Sequence, residues 1–520
     1  MSDMPYLKIE ENRKTLMVDG KTFVILGGEL HNSSASDLDY MKEHVWPTLR
    51  KLGGNCYLAP VYWEEIEKTK GQFDFELVDG LISQAREENV RLVLLWFGLW
   101  KNGASTYVPA WMKLDEQYFY MQDEEGRLLE SISPFCDEAV DLDKNAFSHL
   151  MGHLREYDKE RTVLMIQVEN EVGVWHHSRD YSRQANEIFD KEIPEEISLL
   201  FNNVSGTWEE AFGKKAQENF MAWAFSKAVS TIASAGKKEY PLPMFMNCVP
   251  NSMGISNLAG SYPSGGPLVS ALNVWKAMAP EIDLYGPDIY IPAFKAISSG
   301  FAKDKAFILP ETTADKNCVS KALFSVAAYE TICFSPFGIE MLMQPYDERD
   351  LLAQTNSDII NYSPEAGESL AEAYSLIKAL QEEIREAREE KRIAAFLQEG
   401  ELGEEFHLGD YIFQVVYGGT PPIPWMTTQV PKRREDAPIG GGFILQESDD
   451  TFLIAGVSAN IEIFPKYGKT HQTFILEKRE MILTDGRLQA GRNLNGDERN
   501  FFVLGSRLTI QRVKLYNRYN

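Results

Sequence analysis

Along roughly the first 345 residues, short apolar runs alternate with amphipathic stretches. Residues 23–26 read as a strand that stops on Gly27-Gly28-Glu29-Leu30-His31, and 40–52 as a helix. Asn55-Cys56-Tyr57-Leu58-Ala59-Pro60 reads as a second strand, 78–88 as a helix and 91–97 as a third strand. The fourth, Val163-Leu164-Met165-Ile166-Gln167-Val168, ends in Glu169-Asn170-Glu171. A helix over 216–235 leads to a strand at 243–247, and 282–290 holds a sixth. Ala306-Phe307-Ile308-Leu309-Pro310 is the seventh, running into Glu311, and Phe337-Gly338-Ile339-Glu340 a short eighth. Unbroken apolar runs bounded by polar residues suit parallel strands covered on both faces. Eight of them separated by helical patterns predict an α/β fold, a (β/α)8 TIM barrel preceded by a short hairpin at 16–21.

The texture then changes. Residues from 363 to about 398 read as one long charged helix with Leu370, Leu376, Ile377, Leu380 and Ile384 on its apolar face. Beyond about residue 400, short β-rich runs (411–416, 443–445, 452–454, 473–476) are punctuated by turns at Gly418-Gly419 and Asp485-Gly486. That pattern predicts a smaller C-terminal all-β sandwich. The Pro- and charge-rich stretch 420–438 reads as a long loop. The predicted division is therefore 1–390, a catalytic barrel, and 391–520, a sandwich.

Composition narrows the classes. A chain of 520 residues, 44% hydrophobic and 12% aromatic, suits a large barrel core with a smaller partner domain. A formal net charge of −25 disfavours nucleic acid and anionic membrane surfaces as partners. Five scattered cysteines without CxxC spacing fit reduced thiols better than disulfides or a zinc site. With no signal-like start and no run of transmembrane length, the expected location is cytoplasmic. No GxGxxG follows an early strand, so no dinucleotide is expected, and no other cofactor or metal either.

In a barrel of parallel strands the chemistry sits at the carboxyl ends. Glu171 and Glu311 fall at two such ends. Asn170 offers an amide to hold a ring hydroxyl and Glu171 a carboxyl to protonate a departing oxygen, the needs of a sugar-cleaving site. The bland alternative for both acids is a solvated loop carboxylate. Glu169 should point away from Asn170 on a strand, into a structural salt bridge as readily as toward sugar. Glu29 and His31 read equally as hydroxyl ligands and as a buried structural pair. Of Trp63, Trp96, Trp100 and Trp111, one or two are expected to offer a face to sugar, the rest to be core. His176-His177 resembles a metal pair only superficially, since adjacent residues on an extended segment face opposite ways.

Several of these segments, in order, resemble clan-A glycoside hydrolases of families 35 and 42, the β-galactosidase-type enzymes. They are Gly27-Gly28-Glu29-Leu30-His31, Pro60-Val61-Tyr62-Trp63-Glu64 followed by Gly71-Gln72-Phe73-Asp74-Phe75, Val108-Pro109-Ala110-Trp111, Gln167-Val168-Glu169-Asn170-Glu171, and Glu311 on the seventh strand. The resemblance implies a retaining exo-acting β-glycosidase acting on terminal β-linked sugars of small oligosaccharides or glycosides. Glu311 would be the nucleophile, held ionised by hydrogen bonds. Glu171 would be the acid/base, kept protonated by burial and repulsion. Asn170 would bind the sugar 2-hydroxyl, and Tyr290 would orient the nucleophile or else pack at the rim. Such enzymes commonly assemble, which leaves a homo-oligomer open without fixing its stoichiometry.

There is one departure. Family 35 enzymes carry a Cys-Ala-Glu-Trp-like segment after strand three, whose Glu recognises galactose. Here Phe97-Gly98-Leu99-Trp100-Lys101-Asn102-Gly103 stands instead, and Asn102 or Lys101 would have to serve. Galactose preference therefore does not carry over; a β-glucosidase or β-glucosyltransferase and a β-arabinopyranosidase stay open. The rival of another class is a barrel that binds carbohydrate without cleaving it.

Overall fold

The computed structural model describes every residue except 1–2, 12, 252–257, 344–362, 418–436, 468–470, 485, 501 and 520. The chain divides into two compact units, one of residues 1–47 and 55–312, the other of 48–54 and 313–520.

The first unit is built on a parallel sheet. Its strands are β1 (Ile25–Glu29), β2 (Cys56–Tyr62), β3 (Arg91–Lys101), β4 (Val163–Asn170), β5 (Met244–Cys248) and β6 (Leu284–Ile289). They lie side by side in chain order, and β7 (Phe307–Leu309) and β8 (Glu311–Thr312) belong to the same sheet. Every residue of β1, β2, β4 and β5 is buried, as parallel strands covered on both faces require. The sheet counts nine strands and is nearly closed, a TIM-type barrel. Nine replaces the expected eight because Pro310, lacking an amide hydrogen, divides the seventh strand in two.

Helices Glu76–Glu87, Asp137–Tyr157 and Ala216–Glu239 separate the strands. The first buries Val78, Leu81, Ile82 and Ala85, the three-and-four spacing of a single apolar stripe. N-terminal to the barrel, Arg13–Val18 pairs antiparallel with Lys21–Thr22, the hairpin expected at 16–21, and Tyr6–Glu10 adds a further antiparallel strand on the other side of Arg13–Val18.

In the second unit the expected strand at Phe337-Gly338-Ile339-Glu340 is not formed. Gly338 adopts a φ of 62° and opens a short 3-10 helix, Ile339–Leu342. The buried strand of this region is β9, Thr331–Phe334, which completes the count of nine. The long helix runs Pro364–Glu389, with Ser363 Oγ accepting from the Ala366 amide and Pro364 in its first turn. It stops short of the predicted end because Ile393–Leu397 is already a strand. Two antiparallel sheets of six and four strands follow and enclose a core that includes Phe396, Phe413, Phe452, Ile454 and Val513. The four predicted β runs fall inside Tyr411–Tyr417, Gly441–Gln446, Thr451–Val457 and His471–Thr484. Gly418-Gly419, Asp485 and residues 420–436 of the predicted loop lie outside the described residues. Among the described residues, no helix is long and apolar enough to cross a membrane.

Candidate active site

The parallel register gathers polar residues at one end of the sheet. Lys101 on β3 lies beside Asn170 on β4, Asn247 on β5 beside Gly286 on β6, and Asp288 on β6 beside Glu311 on β8. All of these except Gly286 are polar side chains, and all are buried. A regular strand would send Asn170 and Glu171 to opposite faces. Here Glu169 and Glu171 have φ values of 61° and 46°, and both Asn170 and Glu171 reach Glu311's neighbourhood. Left-handed backbone at two non-glycine residues stores strain, of the kind that concentrates at functional sites.

Three donors converge on Glu311. Tyr290 Oη donates to Oε2 at 2.5 Å, while Asn247 Nδ2 and Asn170 Nδ2 donate to Oε1 at 3.1 and 3.4 Å. Asn247 also donates to Asp288 at 2.8 Å and accepts the Glu171 amide at 2.9 Å, tying β4, β5, β6 and β8 together. Carboxyl oxygens of Glu171, Asp288 and Glu311 lie within 4.8 Å of one another. Three buried acids so close cannot all be ionised. Burial, then repulsion from Glu311, raises Glu171 to about 7, against the pull of Lys101 and a hydrogen bond with Asp288. The same two causes, in the same order, push Asp288 well above the ordinary carboxyl range. Tyr290 is also pushed up, by burial and then by Glu311.

Such a cluster could hold a shared proton or a cation. The residues present fit the proton better: Lys101 already sets a positive charge beside the acids, and Tyr290 and Asn247 already occupy both oxygens of Glu311.

Behind the site a second acid pair shapes β3. Asp143 and Glu169 are wholly buried, and both are raised by desolvation, as a carboxyl pair sharing a proton should be. Asp143 accepts from Trp96 Nε1 and the Leu99 amide, each at 2.8 Å, and Glu169 from the Trp100 amide at 2.7 Å. Glu169 thus points away from Asn170 as expected, but to another acid rather than to a cation. Gly98 sits against this pair: a Cβ there would lie 2.4 Å from Trp96 Nε1, 2.5 Å from Asp143 Oδ2 and 2.6 Å from Glu169 Oε1. Gly98→Ala is expected to cost about 2 kcal/mol of stability through overpacking. A guanidinium denaturation midpoint equal to wild type would contradict this.

The structure brings together Glu171, Glu311, Asn170 and Tyr290. Glu29, fully buried at the end of β1, is close enough for its charge to act on Lys101 and Asp288. His31 is buried two residues further on, and its carbonyl accepts the Ser34 amide at 3.0 Å. Asn102 is not part of the cluster. It lies exposed, with φ 54°, in a tight turn where the Lys101 and Ala104 backbones bond to each other, and Lys101 takes the inward place. Trp63 has no exposed surface and donates to Glu67 at 2.8 Å; Trp96 and Trp100 are likewise buried and bonded to protein. Half-buried Trp111 donates to the Glu67 carbonyl at 2.9 Å. Tyr62, Phe97 and Tyr107 instead form an aromatic group beside Lys101, whose ammonium lies 4.9 Å from the Phe97 ring. His176 is exposed, while His177 meets Glu124 at 2.9 Å. Asn247 and Asp288 are absent from the sequence expectations, which leave Lys101 and Asn102 as alternatives; of those two, the structure turns Lys101 inward. Asn247 had one signal, a polar residue closing the apolar run 243–247.

Residues 15–246, the span that supplies β1 to β4 and most of β5, match the family model described as glycosyl hydrolases family 35. The chain resembles glycosyl hydrolases family 35. Residues 370–504 match a domain of unknown function, DUF5597. Among curated proteins, the chain is 26% identical over 192 residues to beta-galactosidase-1-like protein 3 of Rattus norvegicus. That match takes in 36% of this chain and spans 29% of the relative's length. Among solved structures, the beta-galactosidase from Bacillus circulans sp. alkalophilus aligns over 94% of this chain and 99% of its own, at TM-score 0.48 and 13% identity. The catalytic domain of beta-amylase from Paenibacillus polymyxa aligns over 62% of this chain and 95% of its own, at TM-score 0.46 and 12% identity.

Proposed function

We propose that this family 35-like protein is a retaining, exo-acting β-glycosidase. The observation that carries it is the pairing of Glu171 and Glu311 at the ends of β4 and β8, with three donors on one acid and a raised proton affinity on the other. Retaining enzymes keep their two carboxyl groups about 5–5.5 Å apart, and inverting enzymes place them further apart to admit water. Oxygens within 4.8 Å of each other support the retaining arrangement.

The steps follow from these roles. A Glu311 oxygen bonds to the anomeric carbon as the glycosidic bond breaks, and the departing oxygen takes the Glu171 proton. Water then attacks the anomeric carbon, giving a proton back to Glu171 and releasing the Glu311 carboxylate. Tyr290 and Asn247 hold Glu311 in line throughout, and Asn170 faces the same oxygen, beside which a ring hydroxyl would lie. The sugar stays open among galactose, glucose and arabinopyranose, because β3 ends in Lys101 and not in an acid.

Release of nitrophenol from nitrophenyl β-galactoside, β-glucoside, β-arabinopyranoside, β-xyloside and β-fucoside tests the proposal. Turnover of at least one is expected. Binding of these sugars without turnover of any would favour the carbohydrate-binding barrel instead. Turnover should also survive EDTA unchanged, because no step needs a cation. Loss on chelation, restored by a divalent ion, would give the acid cluster to a metal.

A further inference from the structure

β3 is longer than β4 needs. From Trp96 to Lys101 it advances five residues, while the β4 partners advance only two, from Val168 to Asn170. The excess bulges out and is fastened from behind, where Asp143 and Glu169 accept the Leu99 and Trp100 amides. From the front it is fastened by the tight turn. The Lys101 amide donates to the Ala104 carbonyl at 2.8 Å, the Ala104 amide to the Lys101 carbonyl at 3.0 Å, and the Asn102 amide to the Asn170 carbonyl at 3.2 Å. The consequence is a lysine carried inward at the end of β3, 7% exposed, with its backbone locked.

Its ammonium donates to Asn170 Oδ1 at 2.9 Å. An ammonium has donors only, so it dictates which way the amide faces: Oδ1 must meet Lys101, and Nδ2 must turn toward Glu311. The reverse orientation would set two donors against each other and two acceptors against each other. We infer that Lys101 is a positioning residue, which keeps the Asn170 amide nitrogen on the Glu311 side of the site and sets a fixed positive charge beside the acid pair. This rests on the glycosidase proposal above and deepens it, by giving the β3 bulge a task in the reaction.

The charges around Lys101 agree with that placement. Burial alone would lower its proton affinity, yet Glu311, Glu171 and Glu29, with Tyr107, outweigh burial and keep it above the ordinary lysine value. The groups acting on Glu171 are Glu311, Lys101 and Asp288, with Cys248 and Tyr290 feeling its charge in turn. Of these, Lys101 is the one cation. Removing it should raise Glu171 further, so the pH above which the acid is spent should move upward.

The test uses the sugar that wild type turns over best, with Lys101→Met, Lys101→Gln, Asn170→Leu and the Lys101→Met/Asn170→Leu pair. Circular dichroism and a thermal midpoint establish folding for each. Lys101→Met should lower kcat/KM roughly a hundredfold, the loss typical of one misplaced transition-state donor, and its alkaline limb should lie at higher pH than that of wild type. On the acid side of the limb, where Glu171 carries its proton in every variant, the double variant should lose no more than Asn170→Leu alone, since there the lysine acts through the asparagine. If Lys101→Met does not fold, Lys101→Gln, which keeps a donor but no charge, carries the same test of the limb. An unmoved limb in a folded variant, with losses that simply add, overturns the inference. Absence of turnover in wild type overturns the glycosidase proposal, and this inference falls with it. Turnover in wild type beside unmoved variants overturns this inference alone.

Discussion

Glu311→Gln is expected to abolish turnover of every glycoside, by a factor on the order of 10⁴ or more, while the protein stays folded. The amide cannot attack the anomeric carbon, so no covalent intermediate forms. The hydrogen-bond frame survives: one position keeps an oxygen that can accept, and the other gains an N–H that the Tyr290 hydroxyl can take up. The substitution also removes the neighbour whose charge raises both Glu171 and Asp288. Relief of that repulsion should leave the thermal midpoint no lower than in wild type. Turnover near the wild-type rate would end the nucleophile assignment, and an unfolded variant would mean that Glu311 is chiefly structural.

Glu171→Ala should produce the second largest effect. Glycosides with poor leaving groups should lose roughly 10²–10⁴-fold, the usual worth of a positioned general acid. Nitrophenyl substrates, whose leaving groups need less help, should lose less in the first step. Added azide can enter the space left by the carboxyl, attack the intermediate without a base and restore part of the rate. The pH dependence gives the sign. Glu171 lies raised from 4.5 to about 7, chiefly by burial and then by Glu311. Below about 7 it carries the proton the leaving group needs, and above it that proton is gone, so wild-type kcat/KM should fall as pH rises through this value. In Glu171→Ala that alkaline limb should vanish. A mutant that keeps the limb and ignores azide would move the acid/base role elsewhere, with Asp288 the nearest candidate.

Much of this site was legible in the sequence because barrel chemistry sits at strand ends and strand ends are marked by where apolar runs stop. Val163-Leu164-Met165-Ile166-Gln167-Val168 and Ala306-Phe307-Ile308-Leu309-Pro310 both stop on acids, which pointed to Glu171 and Glu311. What stayed hidden depends on side-chain direction. The bulge at the end of β3 turns Lys101 inward and leaves Asn102 in solvent, and no period-two pattern shows a bulge. Asp288 is a single polar residue near the end of an apolar run, and Asn247 closes another; only their neighbours across the sheet give them a role. Trp63 stands among the four tryptophans of which one or two are expected to offer a face to sugar, yet its indole is spent on Glu67 within the core.

The fold shows the same division. Barrel and sandwich follow from the rhythm of apolar runs. The short strand after the seventh was misplaced because Phe337-Gly338-Ile339-Glu340 is apolar enough to be a strand, and only the left-handed Gly338 turns it into a helix. Helix Asp137–Tyr157 was not among the expected elements. Its buried face includes Asp143, an acid whose partner, Glu169, lies on β4.

The most direct test of the central claim is to locate the covalent bond. A 2-deoxy-2-fluoro β-glycoside of the preferred sugar, with a good leaving group, should form the intermediate and release it slowly. Mass spectrometry of the intact protein should then show one added sugar, and peptide mapping should place it on Glu311. A sugar attached to any other residue, or turnover of the parent glycoside with the anomeric configuration inverted in the first-formed product, would contradict the account.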